Sequence, residues 1–263
     1  MTAASSVHLD PFAFVGSLVT TTLRAGAGIA TQPRTSRPAL LFELYEFEGC
    51  PFCRVVREVL TELDLDAMVY PCPKGGTRFR PELLKLGGKE QFPFLRDPTT
   101  GRAMYESADI VKYLFETYGG GTVPLRWQAM GAQQLGSAFA GMWRFGAGRR
   151  VRPSKASANA PQQPLELYSF EASPFARLVR ERLCELEIPY ILRSMGRSAA
   201  ADWLPPRVRD ALQIRPEPAT LNRKVLLERA GRITVPYLVD PNAGVEMGEA
   251  AAIIEHLQSR YGA

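Results

Sequence analysis

Hydrophobic and polar positions in the first half of the chain follow two periods, one typical of strands and one typical of helices. The run 40–47 is apolar and aromatic with partial alternation, as in a buried strand, and valines and leucines recur at helical spacing over 51–63. Glycines at 119–121 end the pattern. The predicted elements are a strand at 40–47, a helix at 51–63, a strand at 67–71, a helix at 81–86, strands at 92–96 and 102–105, and a helix at 106–118.

The same pattern occurs twice in the chain. Three blocks recur in the same order, and the block that contains the first strand and helix aligns without a gap and with most positions identical. Because a targeting peptide would not be repeated inside the chain, residues from about 14 onward are expected to be structural, and only the first dozen are candidates for a disordered or processed end. The repeated pairs are 16–28 with 136–148, 43–63 with 166–186, and 93–119 with 236–262.

The element order β-α-β-α-β-β-α is that of a thioredoxin-like domain. The sequence therefore predicts an α/β protein with two tandem thioredoxin-like domains, each preceded by a helical segment. About 20 extra residues fall between 192 and 235, and 147–164 has the composition of a linker. The predicted divisions are a helical extension at 1–37, a first domain at 38–121, a second helical segment with the linker at 122–164, and a second domain at 165–263.

Composition narrows the class without deciding the function. A hydrophobic content of 46% describes a globular protein, and the apolar segment 11–30 is too often interrupted by polar residues to span a membrane. The net charge of +5 is concentrated in 144–155 and 193–224. No nucleic-acid module is recognisable, so a solvated basic surface is the simplest interpretation, and attraction of glutathione or an acidic protein is the alternative.

The chemistry of the chain centres on Cys50-Pro51-Phe52-Cys53. A cysteine reacts as its thiolate, and a helix that begins at Pro51 would direct its free N–H groups and dipole at Cys50, with Arg54 and Arg57 nearby. We therefore expect Cys50 to be the nucleophile and Cys53 the resolving thiol of a redox site. The alternatives are half of a zinc site, which lacks a second Cys or His pair, and a bridged iron–sulfur cluster on Cys50; no metal is expected.

Two prolines stand at the start of predicted strands. In this topology Pro93 and Pro236 indicate cis peptide bonds that face the cysteine position and expose the backbone of the preceding residue to an extended peptide. The alternative is a proline of an edge strand.

These motifs resemble the N-terminal, glutathione-binding domain of glutathione S-transferases, and also glutaredoxins. Nearly the whole chain is similar to tandem thioredoxin-like proteins of plants, algae and cyanobacteria in which this domain is duplicated. The resemblance implies that Glu106 and Ser107 hold the γ-glutamyl end of glutathione; simple helix capping is the alternative. It also implies that the backbone at Phe92 pairs with the cysteinyl part. The implied glutathione site is Phe52, Phe92, Pro93, Glu106 and Ser107.

The second copy lacks the chemistry of the first. Ser173 and Ala176 stand where the first copy has its two cysteines, while Pro236 and Glu249 are retained. This degenerate site is either a pseudo-domain that binds a partner, or a serine-type site in which Ser173 stabilises a glutathione thiolate. Of the remaining cysteines, Cys184 is expected to be an inert packed thiol, and Cys72 is either a regulatory thiol or a loop residue.

Three functions remain open from the sequence. The first is a glutathione-linked thiol-disulfide oxidoreductase of glutaredoxin type, with glutathione as cosubstrate and protein thiols or disulfides as partners. The second is a non-catalytic scaffold or assembly factor, and the third is a glutathione-dependent transferase or isomerase; the large helical domain that supplies the electrophile pocket of transferases is not recognisable here. The repeated helical segments allow packing across the units or a homodimer. The resemblance implies a soluble protein of the chloroplast stroma or the cyanobacterial cytoplasm.

Overall fold

A computed structural model of the chain describes residues 9–33, 37–152, 160–199, 202, 208, 211–214 and 217–262. Within them lie nine helices and one sheet of eight strands. The helices are Pro11–Leu23 (α1), Pro51–Glu62 (α2), Arg80–Gly87 (α3), Ser107–Tyr118 (α4), Leu125–Gln128 (α5), Met130–Met142 (α6), Pro174–Glu185 (α7), Leu221–Ala230 (α8) and Ala250–Tyr261 (α9). The strands are Phe42–Glu46 (β1), Ala67–Pro71 (β2), Phe94–Asp97 (β3), Arg102–Met104 (β4), Leu165–Ser169 (β5), Tyr190–Ser194 (β6), Tyr237–Asp240 (β7) and Val245–Gly248 (β8).

The predicted element order is confirmed in both units. In the first, β1 pairs in parallel with β2 and antiparallel with β3, which pairs with β4; β5 to β8 repeat this arrangement. The linker predicted at 147–164 and the insertion between 192 and 235 lie partly outside the described residues. The domain boundaries stay a prediction.

The two units share one sheet, with strand order β4-β3-β1-β2-β6-β5-β7-β8. Strands β2 and β6 join them edge to edge in antiparallel register, with Val69 opposite Tyr190. This pairing removes one exposed edge from each unit, and the side chain of Val69 lies in the core of the second unit. Sequence patterns do not reveal this pairing, because each unit alone already has the complete element order of a thioredoxin-like domain.

Alternation along the strands divides the core into two layers. In β1, Phe42 and Leu44 pack against α2 and α4, whereas Tyr45 points to the other face, where α3 contributes Leu83. The second unit repeats this division, with α7 and α9 on one face and α8 on the other.

Each helical segment packs on the unit that it does not precede. Helix α1 lies on α7 of the second unit, where Ser17 Oγ donates to the Pro174 carbonyl oxygen at 2.8 Å. Helix α6 lies on α2 of the first unit, where Ser137 Oγ donates to the Pro51 carbonyl oxygen at 2.8 Å. The repeated segments therefore exchange places between the units, which accounts for their duplication.

A cluster of seven buried charged side chains lies between α2 and α7. Arg57 Nε donates to Glu171 Oε2 at 2.8 Å, and Arg180 donates to both carboxylate oxygens of Glu48 at 3.1 Å, so each unit's helix pairs with a carboxylate of the other unit. Pairing offsets the cost of burying these charges, whereas Arg177 donates to the backbone oxygens of Ser17 and Glu171. The cluster consists of Glu46, Glu48, Arg54, Arg57, Glu171, Arg177 and Arg180.

Arg144 does not belong to the basic surface that the sequence predicts around 144–155. Its guanidinium is buried and donates to both carboxylate oxygens of Glu181 at 2.6 Å, as Arg24 does with Glu58 in the other half. These arginines follow α1 and α6, and each pairs with a glutamate in the helix of the unit that its own segment precedes.

Candidate functional site

Cys50 occupies the N-cap position of α2. Its backbone is extended (φ −83°, ψ 123°), and its Sγ accepts a hydrogen bond from the backbone N–H of Cys53 at 3.3 Å. Pro51 follows at the first helical position, where its missing N–H costs no hydrogen bond. The strand, turn and helix therefore place the sulfur of Cys50 at the positive end of α2.

The two thiols of the motif differ in their electrostatics. A hydrogen bond from the Cys53 side chain lowers the pKa of Cys50 despite burial, and the backbone N–H groups of Cys53 and Phe52 and the charge of Arg57 act in the same direction. Burial raises the pKa of Cys53 well above its ordinary value. The surroundings therefore favour ionisation of Cys50 over ionisation of Cys53.

The second helical segment covers the motif. Gly49 donates its backbone N–H to the Gly148 carbonyl oxygen at 3.1 Å, and a Cβ added at Gly49 would lie 2.1 Å from Arg149 Cγ. Cys50 is only 3% exposed, whereas its neighbour Phe52 is 43% exposed. A reacting disulfide would therefore have to enter past residues of this segment or displace them.

Glu46 accepts a hydrogen bond from Arg57 behind the motif, and both side chains are buried. Burial, together with the charges of Glu48 and Cys50, raises the pKa of Glu46 to about 8. Sequence reasoning missed Glu46, although a signal was present: the second unit, which lacks the thiols, has Ser169 at this position of the repeat.

The proposed glutathione residues lie around the same end of α2. The Phe92–Pro93 peptide bond is cis, as predicted, and the Phe92 ring packs edge-on against Phe47 with centroids 5.7 Å apart. Phe47 precedes Cys50 in the same turn, and its carbonyl oxygen accepts the Cys50 N–H at 3.0 Å. The structure therefore brings the proline loop and the cysteine motif together.

Glu106 and Ser107 begin α4. Glu106 has φ 62°, its side chain makes no capping bond, and its carboxylate accepts a hydrogen bond from Gln91. The buried Ser107 Oγ accepts a hydrogen bond from Gln134 Nε2 at 3.1 Å. Gln134 lies in α6 one turn before Ser137, which contacts Pro51. One helix thus contacts both the start of α4 and the start of α2.

The degenerate site keeps the backbone geometry without the thiols. Ser173 caps α7 and accepts the Ala176 N–H at 3.2 Å, the Val235–Pro236 bond is cis, and Glu249 has φ 70° before α9. Helix α1 covers this end of α7 through Thr21, which donates to the Ala172 carbonyl oxygen at 2.7 Å.

The remaining cysteines are free and buried. Burial raises the pKa of both Cys72 and Cys184. Cys184 fits the expectation of a packed thiol: its sulfur accepts the Glu48 N–H at 3.4 Å. Among the described residues, no group of three His, Cys, Asp or Glu side chains is arranged to hold a metal ion, and no helix has the length and apolarity needed to cross a membrane.

The family model of the glutathione S-transferase N-terminal domain matches residues 44–122 and again 167–263. The chain belongs to this family. Its two glutathione S-transferase N-terminal units make it a glutathione-related protein of thioredoxin fold. No curated protein matches the chain. One similar solved structure is that of Leishmania TDR1, described as a unique trimeric glutathione transferase, with 14% identity over 86% of this chain and 68% of that chain and a TM-score of 0.27.

Proposed function

We propose that the chain is a glutathione-linked thiol-disulfide oxidoreductase of glutaredoxin type, with Cys50 as nucleophile and Cys53 as resolving thiol. The observation that carries the proposal is the Cys50 sulfur at the N-cap of α2, with its pKa lowered beside a protonated Cys53. Its membership of a glutathione-related family supports glutathione as the cosubstrate. The chloroplast stroma or the cyanobacterial cytoplasm stays the predicted location.

The reaction needs only the first unit. The Cys50 thiolate attacks the glutathionyl sulfur of a mixed disulfide, the S–S bond breaks, and the substrate thiolate leaves and takes up a proton. A thiolate of free glutathione then attacks the Cys50–glutathione disulfide, which restores the Cys50 thiolate and releases glutathione disulfide. With a protein disulfide as substrate, Cys53 loses its proton and attacks the Cys50 sulfur of the mixed disulfide, so that the second substrate thiolate leaves and takes up that proton while a Cys50–Cys53 disulfide forms. Two molecules of glutathione then reduce this disulfide in two exchange steps, which restores both thiols of the motif and releases glutathione disulfide.

Glutathione binding would use the residues around the same helix end. The backbone of Phe92, before the cis Pro93, would pair with the cysteinyl part, and Phe52 is exposed in the first turn of α2. Glu106 would receive the γ-glutamyl amine, and Ser107 with the N–H groups of α4 would receive its carboxylate. In the second unit Ala250 replaces Ser107, so Ser173 and Glu249 are proposed to form a structural or partner-binding site.

The test is reduction of a glutathione mixed disulfide by single-cysteine variants. Cys50→Ser is expected to abolish activity, and Cys53→Ser to keep part of it, because the route through one cysteine needs only the nucleophile. Ser173→Ala, the matched change in the second unit, is expected to leave the rate unchanged. Full activity of Cys50→Ser would overturn the assignment.

The low exposure of Cys50 favours a second candidate, a non-catalytic scaffold. In that case the motif would serve packing, and both units would dock partners through their outer surfaces. Calorimetry separates the two candidates: the enzyme binds glutathione, and Glu106→Gln weakens that binding, whereas the scaffold shows no heat of binding.

A further inference from the structure

Helices α1 and α6 form the outermost layer on one side of the molecule. They run antiparallel: Ala13 lies beside Arg144, and Thr20 Oγ1 donates to the Ala140 carbonyl oxygen at 3.0 Å. Small residues allow this close approach, since a Cβ added at Gly16 would lie 2.6 Å from the Trp143 carbonyl oxygen. Beneath them lie α7 and α2, so the other side of the pair faces outward.

The outward side of this pair carries no charged side chain. Neither helix contains Asp, Glu, Lys or Arg, and their exposed residues are apolar except for Thr22. Phe12 is 88% exposed and Phe145 is 89% exposed, at the same end of the antiparallel pair. We call the outer face the surface formed by Phe12, Val15, Leu135, Phe139, Met142 and Phe145.

The size of the outer face sets it apart from an ordinary soluble surface. At roughly 150–250 Å² for each aromatic side chain, the three phenylalanines expose about 450 Å² of apolar area, and Val15, Leu135 and Met142, each more than half exposed, add to it. The largest apolar patch of a typical monomer is about 300–600 Å², and larger patches mark interaction sites. The outer face therefore fits a partner with an extended apolar surface.

The chain segments that form and flank the outer face are positively charged. The sequence has no Asp or Glu in 11–42 or 117–165, and the second stretch carries Arg149 and Arg150, both exposed just beyond α6. Asp10, which caps α1, is the nearest acidic residue in sequence. A second copy of the chain would bring its own positive edge to this one, and like charges across an interface oppose association. An anionic partner is favoured instead.

We propose that the outer face docks on a lipid bilayer that contains anionic phospholipids. Two helices that lie side by side can place aromatic and aliphatic side chains at the boundary of headgroups and acyl chains, as interfacial helices do. The arginines after α6 then meet lipid phosphates. The proposal is independent of the thiol chemistry, because none of these side chains belongs to the proposed glutathione site.

The test is flotation of the purified full chain with vesicles. The wild type is expected to float with vesicles of phosphatidylcholine mixed with phosphatidylglycerol, to float less with phosphatidylcholine alone, and to be released partly by salt. Phe139→Glu combined with Phe145→Glu is expected to lower the partition coefficient at least tenfold, because each exposed phenylalanine loses its transfer into the bilayer. Arg150→Gln is expected to reduce binding to the vesicles that contain phosphatidylglycerol and to leave binding to pure phosphatidylcholine unchanged.

Leu84→Glu is the matched control. Leu84 is an exposed leucine of α3, on the opposite face of the sheet, so this change is expected to leave flotation unchanged. Circular dichroism checks that each variant is folded. The proposal is wrong if the wild type does not float with the mixed vesicles, or if the double variant floats as well as the wild type. Light scattering provides a further check. The proposal is also wrong if the wild type is a dimer, the double variant is a monomer, and both float equally well.

Discussion

Removing the charge of Glu171 should destabilise the whole molecule. This carboxylate of the second unit lies in the buried cluster, where it accepts a hydrogen bond from Arg57 at 2.8 Å, pairs with Arg180 at 3.0 Å and faces Arg54 at 3.7 Å. Glu171→Gln keeps the size of the side chain but removes the carboxylate that these three buried guanidinium groups share, while Glu46 and Glu48 stay beside Arg57 and Glu48 stays beside Arg180. Breaking a buried pair from one side costs roughly 3–5 kcal/mol.

The pKa of Glu171 gives a similar magnitude. Nearby arginines, with Arg180 and Arg57 foremost, overcome the effect of burial and lower this pKa from 4.5 to about 2. At 1.36 kcal/mol for each pKa unit, the depression corresponds to about 3 kcal/mol of folding free energy. Because the folded-state pKa is the lower one, this contribution is present above pH 4.5 and is lost as the pH falls through about 2.

Urea unfolding followed by circular dichroism measures the effect. We expect Glu171→Gln to lower the free energy of unfolding by about 3 kcal/mol at neutral pH. The difference in unfolding free energy between the variant and the wild type should disappear below the pKa of Glu171. The control is Glu116→Gln, which breaks an exposed pair with Lys112 and should change stability by less than about 0.5 kcal/mol. A loss below about 1 kcal/mol for Glu171→Gln would refute the argument that these charges depend on one another.

Two further pairs of variants test the packing. Ser137→Ala removes one hydrogen bond to the start of α2 and should cost about 1 kcal/mol. Ser17→Ala removes the equivalent bond to the start of α7 and also the bond that Ser17 accepts from Arg177, so it should cost at least as much. Only Ser137→Ala should speed alkylation of Cys50, measured by mass spectrometry; equal rates in both variants would contradict the assignment of α6 as the cover. Gly49→Ala should lower stability by about 1–3 kcal/mol through its clash with Arg149, whereas Gly131→Ala in α6, which meets no atom within 4 Å, should raise it by about 0.5–1 kcal/mol. Thermal unfolding measures both, and a stable Gly49→Ala protein would show that the cover moves freely.

Local chemistry made much of the candidate site predictable. The motif Cys50-Pro51 at a strand-to-helix junction requires a helix N-terminus, and the structure has one there. Glu46 was missed because a carboxylate at the end of an alternating strand is usually exposed to solvent. Only comparison of position 46 with Ser169 in the repeat would have singled it out.

The amino-acid sequence by itself determined the two repeats, their element order, the cis prolines and the loss of thiols from the second copy. These features depend on side-chain periodicity, turn residues and capping, which act within a few residues. Tertiary structure alone decided three others: the junction of β2 with β6, the exchange of α1 and α6 between units, and the burial of Arg57 and Arg180. Each depends on a partner far along the chain. In a sequence, a charged helix face predicts exposure to solvent, and only the structure shows that a second unit covers it with opposite charges. An edge strand likewise does not specify which strand will pair with it.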